Sequence, residues 1–586
     1  MLRKSSFLIL AFFAAAAVLI SGCSKGKARQ EAGQETPEKS AAPGEPAPET
    51  VTEGPEEAAP DTTPPAVLST SPAAGASGVE PAAAVTVTFS EPIDPESLNT
   101  ATFTVAAAGV PLNGTITAEG AAAVWTGEAP FAVATACTVT LSTEIRDPAG
   151  NKFVSPFVFS FTTRDRKWGR AELLEKGDAG HALLAQVAVD QNGGAVAIWA
   201  QGDGTRDSIW SNRYQPGGGW RTPELIETDN AGTAVYPDLA MDTGGNAFAV
   251  WRQSDGILYN ILANRYAAGA GWEGAVLVET NSGTADEPAI AVDPNGNAIA
   301  VWAQWDGSRD NVWANRYAAG SGWETAGLIE TLSGSAERPA IAMDPNGNAI
   351  AVWSHWDGFR YNIAANRYTA GSGWGTAVLI ETDNAGDAQT PDVALSSTGD
   401  AIAVWRQKTD TNGDGLVNNQ DKFSIYANLY RPGAGWGTAG IIETDNLGDA
   451  EFPQAVFDPD GNALIVWRQS DGIRYNIQAA RYEPASGWTA PVRIETEDLG
   501  NAGYPRIAVN GKGNAVVVWE QSDGVLTNIW ANRYTAGAWG AAEKIETDDT
   551  GPGGRVDVDM NPPGEAFAVW EQNDGTRINV WANRLE

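Results

Sequence analysis

The segment from residue 410 to residue 421 carries oxygen-bearing side chains at the spacing of a calcium-binding loop. Positions 1, 3, 5, 6, 9 and 12 of this segment are Asp, Asn, Asp, Gly, Asn and Asp. Hard oxygen ligands at that spacing wrap around Ca²⁺, with Gly at the sharp bend and a backbone carbonyl at position 7. We therefore predict a Ca²⁺ cofactor that stabilises the loop, held by Asp410, Asn412, Asp414, Leu416, Asn418 and Asp421. The alternative is an acidic hairpin extension without an ion.

A second set of carboxylates recurs along residues 165–586. An Asp-Gly pair follows a Trp by four residues at seven places: Asp203, Asp255, Asp306, Asp357, Asp471, Asp523 and Asp574. A Glu also follows another Trp by seven residues, at Glu175, Glu227, Glu279, Glu330, Glu381, Glu443, Glu495 and Glu546. On one face of a ring-shaped fold these groups would attract cations, basic partners or polyols. The alternative is structural, with each Asp-Gly forming a turn and each Glu holding a loop.

His355 is the one residue that breaks the pattern beside these Asp-Gly pairs. It stands where the other copies have Gln, next to Trp356 and Asp357. We include it with the seven Asp residues in a predicted partner-binding face. The alternative is that His355 replaced Gln by neutral substitution in one copy of the repeat and has no role in binding.

Composition excludes several classes of protein. The 586 residues include 73 Asp and Glu against 38 Lys and Arg, a net charge of −35. Nucleic-acid binding proteins concentrate positive charge, so we expect no nucleic-acid partner. Two Cys and two His are too few for a His/Cys zinc centre, a disulfide framework or an iron–sulfur site.

A repeat of about 50 residues organises the chain after residue 165. An apolar strand ending in Trp recurs at Trp199, Trp251, Trp302, Trp353, Trp405, Trp467, Trp519 and Trp570. Each unit reads as four strands, and the second strand is apolar on both faces. Four strands per unit of this length predict a blade of a β-propeller. The fifth unit is about ten residues longer because it contains the predicted calcium loop.

The two ends of the repeat region predict how the ring closes. It begins with a lone fourth strand, at residues 168–175, and ends after a third strand, at residues 579–585. The strand at residues 168–175 would therefore become the fourth strand of the last blade, which leaves no exposed sheet edge. Eight second strands and eight fourth strands predict an all-β fold with an eight-bladed propeller over residues 165–586.

The N-terminus indicates export. Arg3 and Lys4 precede an apolar run from Phe7 to Ile20, and Ser21-Gly22-Cys23 follows. A basic start, a short apolar core and small residues are typical of a secretory signal, here residues 1–22. The sequence from Ile20 to Cys23 resembles the bacterial lipobox, which implies lipidation of Cys23, with ordinary cleavage nearby as the alternative. We expect a lipid-anchored protein of the outer membrane, cell surface or periplasm, with residues 23–62, rich in Pro, Glu and Ala, as a disordered tether.

Two further resemblances concern the folded parts. Short alternating strands over residues 63–164 predict a β-sandwich. The pieces Phe89–Asp94, Asp147–Asn151 and Phe159–Thr163 make this segment similar to bacterial Ig-like domains of the S-layer (SbsA) type, which implies a spacer or adhesive module. The repeat, as in Ile290–Ala298, loosely resembles NHL-like and SBBP-like propeller repeats. The inserted loop resembles those of dockerins and EF-hands, but its position 12 is Asp rather than Glu.

Three functions are compatible with this organisation. The first is a binding or adhesion lipoprotein whose propeller recognises a protein or glycan, and we expect it to be a monomer. The second is a propeller-type polysaccharide hydrolase or lyase, for which no pair of carboxylates stands out from the repeat. The third is a scaffold for envelope assembly.

Overall fold

The structure is a computed structural model that describes residues 60–586 except 178–179, 228–231, 281, 384–385, 415, 419–420, 445–446, 497–498 and 548–549. The chain separates into a unit of residues 1–63 and a compact unit of residues 64–586. The predicted signal segment and Cys23 lie outside the described residues, as does nearly all of the predicted tether. Over the described residues, no helix is long and apolar enough to cross a membrane.

The Ig-like domain is a sandwich of two four-stranded antiparallel sheets. One sheet contains, in spatial order, Val67–Ser71, Val85–Phe89, Ala122–Gly127 and Gly114–Glu119. The other contains Val110–Pro111, Phe103–Ala107, Ala136–Leu141 and Phe157–Thr162, and a 3₁₀ turn spans Pro95–Ser97. Alternate residues point inward, so Val85, Val87 and Phe89 are buried while the Thr residues between them are partly exposed. Trp125 and Phe131 stack in the centre of the core.

Eight further sheets form the blades of the propeller in the described part of the chain. The first strands are Ala182–Val189, Ala234–Met241, Ala285–Val292, Ser335–Met343, Ala388–Leu395, Ala450–Phe457, Ala502–Val509 and Gly553–Met560. The second strands are Ala195–Gly202, Ala247–Ser254, Ala298–Trp305, Ala349–Trp356, Ala401–Thr409, Ala463–Ser470, Ala515–Ser522 and Ala566–Asn573. The third strands are Asp207–Gln215, Tyr259–Ala267, Asp310–Ala318, Tyr361–Thr369, Lys422–Arg431, Tyr475–Glu483, Thr527–Thr535 and Ile578–Leu585.

The fourth strand of each blade is broken into two short pieces that both pair with the third strand. In the first seven blades these pieces are Gly219–Trp220 and Glu224–Leu225, Gly271–Trp272 and Val276–Leu277, Gly322–Trp323 and Gly327–Leu328, Gly373–Trp374 and Val378–Leu379, Gly435–Trp436 and Gly440–Ile441, Gly487–Trp488 and Val492–Arg493, and Ala538–Trp539 and Glu543–Lys544. In the eighth blade the outer strand is Glu172–Leu173, which comes from the start of the repeat region and pairs with Trp581 and Ala582. The predicted closure and the predicted count of eight blades are confirmed.

Contacts between neighbouring blades repeat around the ring. The eight Trp residues of the second strands are fully buried in the apolar layers that alternate with the blades. Asn212 Nδ2 donates to the carbonyl of Leu174 at 2.9 Å, so the first blade grips the closing strand. Asn264 makes the same bond to Ile226 of the preceding blade. The interface between the eighth and first blades, where the ring closes, therefore resembles the interfaces between the other blades.

A second contact between blades uses the Arg at the end of the third strand. Arg213 stacks over Tyr266 of the next blade, and Arg265 stacks over Tyr317. Arg584 of the last blade stacks over Tyr214 of the first, with its guanidinium carbon 5.1 Å from the ring centroid. Stacked guanidinium groups of this kind stabilise an interface without leaving a free anion site.

The buried Asn contact gives a paired stability prediction. Asn212→Ala leaves the buried carbonyl of Leu174 without a donor, and we expect it to lower the free energy of unfolding by about 1–3 kcal/mol. The sixth blade naturally has Ala480 at the equivalent position. Ala480→Asn should therefore restore a missing bond and raise stability by about 1 kcal/mol. Urea denaturation measures both; a loss of stability in both variants would contradict the inter-blade role of this Asn.

Candidate functional site

The predicted acidic face is present as a ring of turns between the second and third strands. In each of the seven Asp-Gly turns, the Asp Oδ1 accepts backbone N–H bonds from the two residues that close the turn. Asp203 accepts from Thr205 and Arg206 at 2.8 and 3.0 Å, and Asp255 accepts from Ile257 and Leu258 at 2.8 Å. The same pair of bonds is made by Asp306, Asp357, Asp471, Asp523 and Asp574.

These hydrogen bonds keep the turn carboxylates ionised. The side-chain bond from Thr205, together with the backbone bonds, lowers the pKa of Asp203 to about 2. The side-chain bonds from Ser308 and Thr576 likewise hold the pKa of Asp306 and of Asp574 below the ordinary range. The turns thus have a structural task and still contribute negative charge to this face, called the acidic face below. Its role in binding a partner stays a prediction.

The recurrent Glu residues are buried, so they do not add to the charge that a partner would meet. Trp251 Nε1 donates to Gln253 Oε1 at 2.9 Å, and Gln253 Nε2 donates to Glu227 Oε2 at 3.2 Å. Glu227, Glu279 and Glu330 accept a hydrogen bond from the second strand of the following blade. Glu175, Glu495 and Glu546 instead accept a backbone N–H from the third strand of the blade whose fourth strand they follow. In this structure these Glu residues hold the loops that lead into the next blade.

His355 belongs to this buried network. It is 2% exposed, and its Nε2 lies 3.1 Å from the carbonyl of Ser333. Without the usual Gln, Trp353 Nε1 donates directly to Glu330 Oε2 at 2.6 Å. The sequence placed His355 on the partner-binding face, but the structure puts its ring beneath that face, where no partner touches it.

The predicted calcium loop is shaped by local turns. Gly413 N–H donates to Asp410 Oδ1 at 2.7 Å, and Leu416 N–H donates to Asp414 Oδ1 at 2.8 Å. Asp421 is buried and accepts from the backbone of Asn418 at 2.7 Å. The carboxylates of Asp410, Asp414 and Asp421 are not among the described acidic groups whose oxygens converge within 4.8 Å. A Ca²⁺ ion would therefore have to draw them together, with Asn412, Asn418 and the Leu416 carbonyl completing the oxygen donor set.

The first strands reveal a feature that the sequence analysis missed. They line a central cavity of about 640 Å³. Each first strand has a β-bulge near its start, and the third residue of each copy adopts a left-handed backbone conformation. These residues are Leu184, Tyr236, Glu287, Arg338, Thr390, Phe452, Tyr504 and Arg555, with φ between 39° and 60°. None is glycine, so all eight copies hold a conformation that costs energy for an L-amino acid.

We call these eight residues the mouth: they occupy one position of the eight first strands, at the strand ends nearer the acidic face. Six of them line the central cavity, namely Leu184, Tyr236, Glu287, Arg338, Thr390 and Phe452. Among the eight copies of the first strand, the first position is Ala in seven copies and the fourth is Pro in six. The mouth position instead holds six different residue types, and the second position, with Leu, Val, Asp, Glu, Gln or Gly, varies as much. A β-bulge re-aims the side chains of its strand. The varied positions at the start of the first strand are therefore those whose residues can face a ligand, and this variation can be read from the aligned repeats.

Arg468 packs among aromatic rings next to Phe452 and Tyr504, the mouth residues of the sixth and seventh blades. The Arg468 guanidinium lies 4.6 Å from the ring of Phe452, 4.2 Å from Tyr475 and 5.3 Å from Tyr504. Its Nη2 donates to Glu451 Oε2 at 2.6 Å. Phe452 and Tyr504 also contact each other, with centroids 4.6 Å apart. Ion pairing and ring contacts together fix these side chains in place.

A similar arrangement recurs across the mouth in the second blade. Arg252 lies 4.5 Å from the rings of both Tyr236 and Tyr259 and pairs with Asp286. Tyr236 is 46% exposed and Tyr504 is 38% exposed. The mouth therefore presents two accessible aromatic rings, each supported by an arginine that is itself paired with a carboxylate.

A recess opens beside Tyr504. The second residue of the first strand is Gly503 in the seventh blade and Gly554 in the eighth, where the other blades carry larger side chains. A Cβ at Gly503 would lie 3.5 Å from both Arg468 Nη1 and Glu520 Oε1. Burial raises the pKa of Glu520 and of Glu571, which occupy the same position in adjacent blades. The recess thus places the Arg468 guanidinium and the Glu520 carboxyl group beside Gly503, next to the exposed ring of Tyr504, while Glu571 lies opposite Gly554 in the next blade.

Comparison with known proteins supports the architecture. Residues 61–163 match the family described as a bacterial Ig-like domain. No curated protein matches the sequence. Solved structures match only at low similarity, and the described strands themselves form an all-β protein with an Ig-like domain and a β-propeller.

Three of those structures show the extent of the similarity. A protein of unknown function from Dyadobacter fermentans is 13% identical, with 72% of this chain and 99% of that chain covered and a TM-score of 0.38. A polysaccharide lyase of family PL25, an ulvan lyase, is 11% identical over 71% and 93%, with a TM-score of 0.40. A leech intramolecular trans-sialidase is 11% identical over 89% and 92%, with a TM-score of 0.35. Similarity at this level carries no inference about function.

The buried carboxyl groups give a prediction for pH. Burial raises the pKa of Glu175, Glu279 and Glu381 to about 7, and that of Asp238 and Asp392 in the central cavity to about 6. Because the folded state binds these protons more tightly than the unfolded state, their contribution is complete below their unfolded pKa values and is lost as pH rises through the folded ones. We expect the Tm to fall between pH 5 and pH 8, as measured by calorimetry.

A triple variant separates this effect from the general repulsion of an acidic chain. Glu175→Gln, Glu279→Gln and Glu381→Gln together keep the shape and hydrogen-bonding oxygens but remove the titration, so the slope of Tm against pH should flatten. A triple Asp→Asn variant at Asp203, Asp306 and Asp574, whose pKa values are lowered, should leave the slope above pH 5 nearly unchanged. A wild-type Tm that is constant or rises over this range would show that the buried groups do not titrate as described.

Proposed function

We propose that this chain is a cell-envelope lipoprotein that binds a glycan at the mouth of its propeller and performs no chemistry on it. The observation that carries the proposal is the pair of exposed tyrosine rings at the mouth, each packed against an arginine, at a strand position whose residues differ between the copies. Anchoring through Cys23 rests on the sequence from Ile20 to Cys23. The linker after the Ig-like domain contacts the opposite side of the ring, where Arg164 Nη1 donates to the carbonyl of Glu586 at 2.7 Å.

The chemistry of the mouth fits a sugar better than a flat protein surface. An aromatic ring offers an apolar face for the C–H groups of a pyranose, and charged side chains beside it can bond to hydroxyl groups. Tyr236 and Tyr504 supply such rings, while Arg468 and Glu520 supply a donor and an acceptor beside Tyr504. The cavity of about 640 Å³ has the size of a site for a small ligand or for the end of a larger one.

Glycan-array binding of the purified chain tests the proposal. We expect Tyr504→Ala and Tyr236→Ala each to weaken binding about tenfold, because an aromatic contact contributes about 0.5–1.5 kcal/mol beyond its buried area. Tyr504→Phe should bind nearly normally, since it keeps the ring. Val154→Ala is the control, because it truncates an exposed side chain of the Ig-like domain, outside the mouth. Absence of binding to any glycan, or equal losses in all three Ala variants, would contradict a glycan site at the tyrosines.

A polysaccharide hydrolase or lyase is the second candidate, and one observation favours testing it. Glu520 and Glu571 occupy adjacent blades beside the recess, and burial raises the pKa of both. Raised carboxyl pKa values are common where a group must deliver a proton near neutral pH. Chain shortening or new unsaturated ends in the bound glycan, abolished by Glu520→Gln, would replace simple binding with catalysis.

Calcium at the inserted loop belongs to the same proposal as a stabilising ion. The loop offers three carboxylates, two amide oxygens and a carbonyl, a set of hard oxygen donors suited to Ca²⁺. We expect isothermal titration of the purified chain with CaCl₂ to show one binding event that the double variant Asp410→Ala, Asp414→Ala abolishes. Asp203→Ala, which alters an acidic turn of a blade without the insertion, should leave the titration unchanged. An absence of binding heat, or binding that survives the double variant, would refute the calcium site.

A further inference from the structure

The tips of the acidic turns fall into two chemical classes. The residue two positions after the turn Asp is Thr205, Ser308 or Thr576 in the first, third and eighth blades. In the second, fourth, sixth and seventh blades it is Ile257, Phe359, Ile473 or Val525. All these residues occupy the same position of equivalent turns. The effect of a hydroxyl side chain and of an apolar side chain at this position can therefore be compared within one protein.

The hydroxyl side chains strengthen the turn. Thr205 Oγ1 donates to Asp203 Oδ1 at 2.6 Å, Ser308 Oγ to Asp306 Oδ1 at 2.7 Å, and Thr576 Oγ1 to Asp574 Oδ1 at 2.6 Å. The apolar side chains cannot make this bond, although the backbone bonds of the turn are the same. Folding therefore does not require an apolar residue at this position.

The four apolar side chains are among the most exposed in the described part of the chain, at 84–89% of their possible surface. Two leucines, Leu447 and Leu499, extend this surface from the loops that precede the sixth and seventh blades. A Cβ on Gly472 would lie 3.6 Å from the carbonyl of Leu447, and a Cβ on Gly524 would lie 3.9 Å from that of Leu499. Each leucine loop is thus next to the turn that carries Ile473 or Val525. These two apolar pairs lie on neighbouring blades, and adjacent exposed apolar side chains commonly mark a surface that is covered by a partner.

The negative charge around these residues favours a basic protein surface over an anionic lipid surface as the partner. Each apolar tip follows an Asp whose pKa is lowered by backbone hydrogen bonds, as at Asp255, Asp357, Asp471 and Asp523. Over residues 165–586 there are 56 Asp and Glu against 29 Lys and Arg. A lipid surface rich in anionic headgroups would be repelled by ionised carboxylates at the base of every tip. A protein surface with basic groups beside its apolar ones would be complementary in both respects.

We propose that Ile257, Phe359, Ile473 and Val525, with Leu447 and Leu499, form a docking surface for a protein partner that combines apolar and basic side chains. This surface lies outside the mouth, at the turn tips of the acidic face. The partner's apolar groups cover the tips, and its Lys and Arg residues face the turn carboxylates. The surface is independent of the proposed glycan site, because no mouth residue contributes to it.

An array of 15-residue peptides tests this docking surface. The probes combine Leu, Ile or Phe with Lys or Arg, and matched peptides carry Glu in place of the basic residues or Ser in place of the apolar ones. The full chain should bind the basic–apolar peptides, and less strongly in high salt. The quadruple variant I257T/F359T/I473T/V525T should lower that binding at least tenfold, while the added hydroxyl groups can bond to the turn Asp residues as they do in the other blades.

Three further arms make the result decisive. Val154→Thr removes an apolar side chain of similar exposure, 85%, from the Ig-like domain and should have no effect. The double variant T205I/S308I adds two apolar tips and should increase binding, which keeps the test valid if the quadruple variant folds poorly. Equal binding of the acidic peptides, or unchanged binding by the quadruple variant, would overturn the proposal. Binding of phosphatidylethanolamine–phosphatidylglycerol vesicles that the quadruple variant loses would also overturn it, in favour of a membrane.

Discussion

The burial of each second strand between two neighbouring blades is the constraint on which the propeller depends. A strand that is apolar on both faces is stable only when both neighbours are present. In this chain the requirement is expressed by eight fully buried Trp residues, and it can be met for the first and last blades only if the ring closes. The closing strand at Glu172–Leu173 satisfies it, and Asn212 and Arg584 reproduce across the seam the contacts found at the other interfaces. Closure also leaves each blade with only a short outer strand as its outer edge.

The same constraint assigns different tasks to different parts of the repeat. Positions that pack between blades, or that cap a turn, change little between copies: the Trp and the Glu occur in all eight, and the Asn and the turn Asp in seven. Positions that point into the central cavity or lie at the turn tips do not pack between blades, so the packing constraint does not fix their residue type. The left-handed residues of the mouth even tolerate a backbone conformation as unfavourable as that of Thr390, a β-branched residue at a φ of 52°. Such strain persists because the eight bulges are held by well-packed strands on either side.

The sequence predicted the fold in detail because its strongest signals are the constant positions. The spacing of the Trp residues predicted the number of blades, and the incomplete first and last units predicted the closing strand. The sequence did not predict that each fourth strand is split into two short pieces, since a Gly-Trp pair and an apolar pair separated by a few residues read as one strand. The acidic turns and the Glu series were visible as repeats, but periodicity alone does not tell an exposed carboxylate from a buried one. Glu330 and Asp306 are equally regular in the sequence, yet the first lies under a loop and the second lies at the surface.

The candidate site was missed for the opposite reason, because it consists of what does not repeat. A search for periodic residues discards Tyr236, Arg338 and Phe452 as noise, although they occupy one position of one strand. Only the bulge, which turns that position toward the axis, shows that these unlike residues share a surface. In a repeat protein of this kind, the constant residues indicate which contacts hold the ring together, and the variable residues indicate where a ligand or partner binds. Because the linker contacts lie on the other side of the ring, the mouth and the turn tips are not covered by the Ig-like domain in the described part of the chain.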